Sequence, residues 1–206
     1  MDLAAAHGWI VDELRAHRPI EVSMHAVIDR CTAARPHRDW AVLRDLEYGD
    51  VRGLVHWLAM PFQTEPHPRP LKALWFGLFN PILDGEESAD MYVCGSERFT
   101  PDPASNSWSV APDWLPRSRC AESHILRNIY RIAYSRNGLQ NDAEYPLVLG
   151  YAVFAVRNLL ATADAPLILG SSPSLGVAVG FDSGDFILLG RFGPCGLLDV
   201  TSEGPA

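Results

Sequence analysis

Residues 177–192, Val-Ala-Val-Gly-Phe-Asp-Ser-Gly-Asp-Phe-Ile-Leu-Leu-Gly-Arg-Phe, constrain the fold more than any other stretch of the chain. Two apolar, strand-favouring runs flank Asp182-Ser183-Gly184-Asp185, the pattern of two strands joined by a tight hairpin with Ser-Gly at its tip. Gly184 accepts the positive φ that such a turn requires, and the Asp182 side chain suits hydrogen bonding to the turn backbone. Phe186-Ile187-Leu188-Leu189 shows no polar alternation, which predicts a strand covered on both faces, inside a sheet.

The N-terminal third has helical periodicity. Leu3, Ile10, Val11 and Leu14 recur on one face before Pro19, and a second helix is predicted over Val22 to Ala34, ended by Pro36. A third starts at Asp39 as N-cap and runs through Trp40, Leu43 and Leu46 to Leu58, with a weak point at Gly49. Residues 63–70 form a proline-rich connector between the helical portion and a β-containing portion. Residues 73–79 and 91–95 read as an antiparallel ribbon joined by Asn80 to Asp90, with Trp108-Ser109-Val110 as a short third strand. Helices return over Glu122 to Ser135 and Ala143 to Ala161, the latter with Pro146 in its first turn. Strands interleaved with a helix pair, without repeated βαβ spacing, define an α+β fold. The reading is one domain over 1–206: helical to 62, a connector over 63–70, and an α+β core over 71–200 in which the helix pair packs on an antiparallel sheet.

Bulk properties exclude more than they select. Seventeen Lys and Arg face 25 Asp and Glu, a formal net charge of −8, which argues against a broad phosphate-binding surface and so against nucleic acid as partner. Cys31, Cys94, Cys120 and Cys195 form no C-x-x-C pair and no disulfide framework. The first residues lack the basic start and apolar run of a secretory signal, and the apolar segment from Leu147 to Leu160 is shorter than a membrane span and holds Arg157 and Asn158. A cytosolic protein with free thiols is expected.

Catalytic signatures are sparse. No G-x-S-x-G elbow, P-loop or G-x-G-x-x-G is present, and no two of the seven histidines stand at H-x-H, H-x-x-x-H or H-E-x-x-H spacing, so neither cofactor nor metal is expected. His25 and Asp29 share an i,i+4 spacing that an ordinary helix-surface contact explains as well as a ligand pair. Cys120 and His124, with Arg117 and Arg119 nearby, form the best candidate thiol–base pair, against the plainer reading of a half-buried Cys beside a surface His.

Two features point to binding instead. Asp84, Glu86, Glu87 and Asp90 crowd four carboxylates into seven residues, which places them on a solvated loop able to meet a basic protein. Alternate-residue oxygen ligands and a distal Glu are missing, so a calcium loop does not fit. Trp108 and Trp114 lie in a turn region with Pro112 and Pro116 near Arg117 and Arg119; they serve either as binding hot spots or as pins holding a long loop onto the sheet.

The succession of residues 74–79, residues 91–95, Trp108 with Pro112 and Pro116, two helices and the Gly-Phe-Asp-Ser-Gly-Asp hairpin resembles, in layout over about 72–192, the small cytosolic immunity proteins encoded beside bacterial polymorphic toxins. That resemblance implies a non-catalytic protein that binds and neutralises a cognate toxin, with Asp84, Glu86, Glu87, Asp90, Trp108 and Trp114 as candidate contacts. The alternatives are a small hydrolase or transferase whose site assembles only in space, and a structural subunit of a bacterial assembly.

Overall fold

The computed structural model describes residues 1–83, 85–102, 104–182 and 184–198. The chain divides into two compact units. The first comprises Met1–Val51, Asn80–Asp90 and Ser123–Ala155; the second comprises Arg52–Phe79, Met91–Glu122 and the described part of Val156–Ala206.

The first unit is built on helices α1 (Leu3–Arg15), α2 (Ile20–Ala34), α3 (Asp39–Arg44) and α5 (His124–Ala133), with α6 (Asn141–Thr162) contributing as far as Ala155. Asp2 caps α1 by accepting from the N–H groups of Ala4 and Ala5 at 3.0 and 3.3 Å. Ala6, Ile10 and Leu14 of α1 are buried, as are Met24, Val27, Ile28 and Cys31 of α2. Gly150 of α6 lets Ile10 and Met24 approach: a Cβ there would sit 3.6 Å from the first and 3.7 Å from the second. Pro146 falls in the second turn of α6, because that helix begins at Asn141 rather than Ala143.

The predicted helix from Asp39 to Leu58 is two helices, α3 and α4 (Arg52–Thr64). Tyr48 explains the break: it is fully buried between them in sequence, and its hydroxyl donates to the Leu43 carbonyl at 2.6 Å. Such a bond satisfies one of the carbonyls a helix end leaves open. Arg38, not Asp39, holds the N-cap position of α3, and Asp39 is buried in its first turn.

The second unit contains α4, α7 (Ala165–Leu169) and a five-stranded sheet. Its strands are β1 (Ala73–Phe79), β4 (Asp90–Ser96), β5 (Leu175–Phe181), β6 (Phe186–Gly193) and β7 (Gly196–Leu198), in the order β4-β1-β5-β6-β7. The C-terminal hairpin is present as read, with β5 and β6 antiparallel and a bulge that leaves Leu189 as the extra residue between Leu188 and Gly190. Its loop is wider than two residues: Phe181 and Asp185 close it with a 2.8 Å bond, and Gly184 takes φ +121°. Ser183 lies outside the described residues. The sheet is mixed rather than wholly antiparallel, because β1 and β5 run parallel, with Trp75 opposite Ala178. A parallel pair needs a long crossover, and the chain between Phe79 and Leu175 supplies it. The class remains α+β.

Strands β1 and β5 are buried on both faces, whereas β6 departs from the expectation of full cover: Ile187 and Leu189 are buried but Phe186 and Leu188 on the other face are only half-buried. On one side Ala73, Trp75, Cys94 and Ala178 cluster with Trp108 of the loop, and Phe99 and the β6 residues Phe186 and Leu188 pack against that cluster. On the other, Phe76 meets Trp57 of α4 edge-to-face at 6.5 Å. Trp108-Ser109-Val110 is a turn, not a strand. The outer edge of β4 is instead covered by isolated bridges from Cys120 to Tyr92 and from Trp114 to Gly95. The proline-rich connector is also tied down: the Glu65 carboxylate accepts from the Arg117 and Ser118 N–H groups at 2.9 and 3.1 Å, and these bonds hold its carboxyl below the usual range.

Candidate partner-binding surface

The acidic segment forms a small hairpin in the first unit, β2 (Ile82–Leu83) and β3 (Glu86–Glu87), with Ile82 opposite Glu87 and Leu83 opposite Glu86. Gly85 takes φ +86° at its tip, and Asp84 lies outside the described residues. Glu86 and Glu87 are exposed as expected, and Ile82 beside them is 72% exposed. The hairpin therefore carries an apolar residue next to two carboxylates, all reachable from solvent.

Asp90 does not share that setting. It is 4% exposed and accepts from Arg127 Nε and Nη2 at 3.2 and 2.8 Å and from the Ser123 N–H at 3.0 Å. Mutual repulsion puts carboxylates in solvent only when no cation is supplied, and Arg127 supplies one. Asp90 is the anchor of the hairpin's C-terminal end, not a contact on its rim. Asn80 closes the base of the hairpin on Ser88, donating from Nδ2 to its carbonyl at 2.9 Å.

Trp108 and Trp114 are likewise removed from the surface, at 3% and 5% exposure. Trp108 meets Trp75 and Phe99 edge-to-face at 6.2 and 5.3 Å. Trp114 packs on Phe62 at 4.7 Å and donates Nε1–H to the Glu65 carbonyl at 2.7 Å. Both pin the long loop of the second unit. Their apolar area is used in the core, which rules them out as exposed hot spots.

Between the acidic hairpin and α5 lies a cleft of about 850 Å³, lined by Glu86 and Glu87 of the hairpin and by Arg127, Tyr130, Arg131 and Tyr134 of α5 and the turn that follows it. Helix α5 is strongly two-sided. Ile125, Leu126, Ile129 and Ala133 are buried, while His124, Arg131 and the following Tyr134 remain exposed. Ser123 caps it, accepting from the Leu126 N–H at 3.3 Å. The rings of Tyr130 and Tyr134 are stacked, 4.5 Å between centroids and 27° between planes. Each hydroxyl donates to a carboxylate: Tyr130 to Glu87 at 2.8 Å, Tyr134 to Glu144 at 2.5 Å. Asn80 holds the second oxygen of Glu144 at 3.1 Å. Loss of hydration, then the bond to Glu87, push the Tyr130 phenol up to about 12; Tyr134 is raised for the same reasons, with Glu144 in that role.

None of Arg127, Tyr130, Tyr134 or Glu144 stood out in the sequence. The one signal available was the i,i+4 spacing of the tyrosines, which puts both rings on one helical stripe.

The candidate thiol–base pair has no helical basis. Cys120 is exposed and bridges Tyr92, while α5 begins only at His124, so the four-residue interval is not a helical turn. His25 and Asp29 both engage Arg44: His25 Nε2 lies 3.1 Å from its carbonyl, and Asp29 accepts from its guanidinium. Each is occupied by Arg44, the one through its carbonyl and the other through its guanidinium. Among the described residues no group of three or more His, Cys, Asp or Glu converges on a point. Helix α6 is long and apolar enough by composition to cross a bilayer, but 78% of its most apolar window is buried, as befits a core helix.

No protein-family model matches the chain, and neither a curated protein nor a solved structure was found to be similar to it.

Proposed function

We propose that the protein is a non-catalytic, protein-binding protein of the bacterial cytoplasm, an immunity-type inhibitor that captures and neutralises a basic toxin. One observation carries this reading. The hairpin bearing Glu86, Glu87 and exposed Ile82 is closed at its base by the Asn80–Ser88 bond and tied to the helices of its unit by the Asn80–Glu144 bond and the Asp90–Arg127 pair, and so offers its carboxylates in a fixed geometry. A preorganised acidic edge loses little entropy on binding and steers a cationic partner toward itself. The net charge of −8 adds a field of the same sign.

The test is co-expression with the toxin encoded by a neighbouring gene. Restored growth, together with recovery of a stable complex of the two proteins, is expected. A protein that neither rescues growth nor retains the toxin, but turns over a small molecule when purified, contradicts the proposal.

A further inference from the structure

We propose that the stacked tyrosines of the α5 cleft, with the carboxylates of Glu86, Glu87 and Glu144 around them, form a receptor for a single guanidinium side chain, the arginine of a basic protein partner. This rests on the reading of the hairpin and cleft as a protein-binding surface and names the chemistry it selects.

Tyr130 is 7% exposed and Tyr134 45%, so Tyr130 is the inner ring and Tyr134 the outer one. With one ring face covered by Tyr130, Tyr134 has its remaining surface for an incoming group. An aromatic face carries negative potential and attracts a cation placed over it; a planar guanidinium also stacks there. The phenol bonds to Glu87 and Glu144 fix two carboxylates beside the rings without neutralising them. Asn80 bonds the other oxygen of Glu144, so the arrangement does not depend on the ligand to form.

The cations already in the cleft do not cancel this. Arg127 is paired with buried Asp90 at 2.8 Å. Arg131 bonds Asn128 on its own helix at 3.1 Å, and it is one positive charge set against the two carboxylates that line the cleft, Glu86 and Glu87, with Glu144, held by its bond from the Tyr134 hydroxyl, as a third. Lysine fits the charge but not the flat fork that carboxylates and a ring face accept together, so arginine is favoured over lysine.

The probe is Nα-acetyl-arginine methylamide, compared with its lysine, citrulline and glutamate counterparts, with binding read from the ring proton and carbon resonances of Tyr130 and Tyr134. Citrulline keeps the shape of arginine without its charge. Arginine is expected to shift both rings saturably in the millimolar range, lysine more weakly, and citrulline and glutamate not at all. Tyr134→Ala, followed at Tyr130, should weaken binding by about fivefold. Glu86→Gln, an exposed change that leaves the fold intact, should weaken it by about threefold. Equal shifts with citrulline or glutamate, unmoved rings at tens of millimolar arginine, or an unchanged affinity in Glu86→Gln would each overturn the proposal. No toxin is needed, so a failure here is separate from a failure of the immunity reading, which growth rescue reports.

Discussion

Gly77 lies directly beneath the ring of Tyr92: a Cβ at that position would come within 2.2 Å of the ring carbons. The missing side chain lets Tyr92 lie flat on β1 and reach Asp182, to which its hydroxyl donates at 2.7 Å. Gly77→Ala should therefore displace the ring, break that bond and cost about 2 kcal/mol in urea unfolding. Gly193→Ala, where a Cβ meets nothing within 4 Å, is the control and should change stability by less than about 0.5 kcal/mol. Equal effects at the two positions would show that Tyr92 does not depend on the gap.

Ile187, the second residue of β6, is 4% exposed and lies opposite Val179. Ile187→Asp buries a charge with no partner, which should cost about 4 kcal/mol and remove most soluble expression. A variant that melts within a degree or two of the parent would mean the strand is open to solvent.

Asp90 and Glu86 sit four residues apart and should respond oppositely to loss of charge. Asp90→Asn removes the charge from the 2.8 Å pair with Arg127 at a position only 4% exposed, and should destabilise the protein by about 3 kcal/mol. Glu86→Gln should leave the melting temperature unchanged, since an exposed carboxylate contributes little. Parallel thermal melts of the two variants decide the point.

Burial pushes the Tyr151 phenol up to about 12 from an ordinary value near 10, and Tyr48, 6.1 Å away ring to ring, is raised for the same reason. A phenol raised by folding favours the protonated form, so its contribution is complete below pH 10 and is lost as pH climbs through 12. Denaturant stability should hold to about pH 10 and then fall steeply, with tyrosinate absorbance rising in step with unfolding. Ionisation of all tyrosines near pH 10 with the fold intact would contradict the burial of this pair.

Local pattern made the C-terminal hairpin legible: residues 177–192 state two strands and a glycine turn without reference to anything distant. The first two helices were legible for the same reason. Asp90 was not, because its fate depends on Arg127, 37 residues on, arriving beside it. Trp108 and Trp114 were ambiguous by nature, since a tryptophan in a turn region suits a core or an interface equally until its neighbours are known. The parallel pairing of β1 with β5 was hidden by the 95 residues between Phe79 and Leu175, across which no periodicity carries strand direction. The tyrosine pair had only its spacing to announce it; the carboxylates that complete it come from two other segments, at Glu87 and Glu144.

If the acidic hairpin receives a basic partner, its carboxylates must govern the rate of encounter, which association kinetics read out. The partner recovered by co-expression would be mixed with the parent protein and with a Glu86→Gln, Glu87→Gln double variant, at about 50 and about 300 mM salt, where screening lengths differ by more than twofold. The variant should associate several-fold more slowly at low salt, with a shallower salt dependence and a smaller change in dissociation. Identical association rates for parent and variant at both salt concentrations would contradict this role and remove the hairpin from the interface.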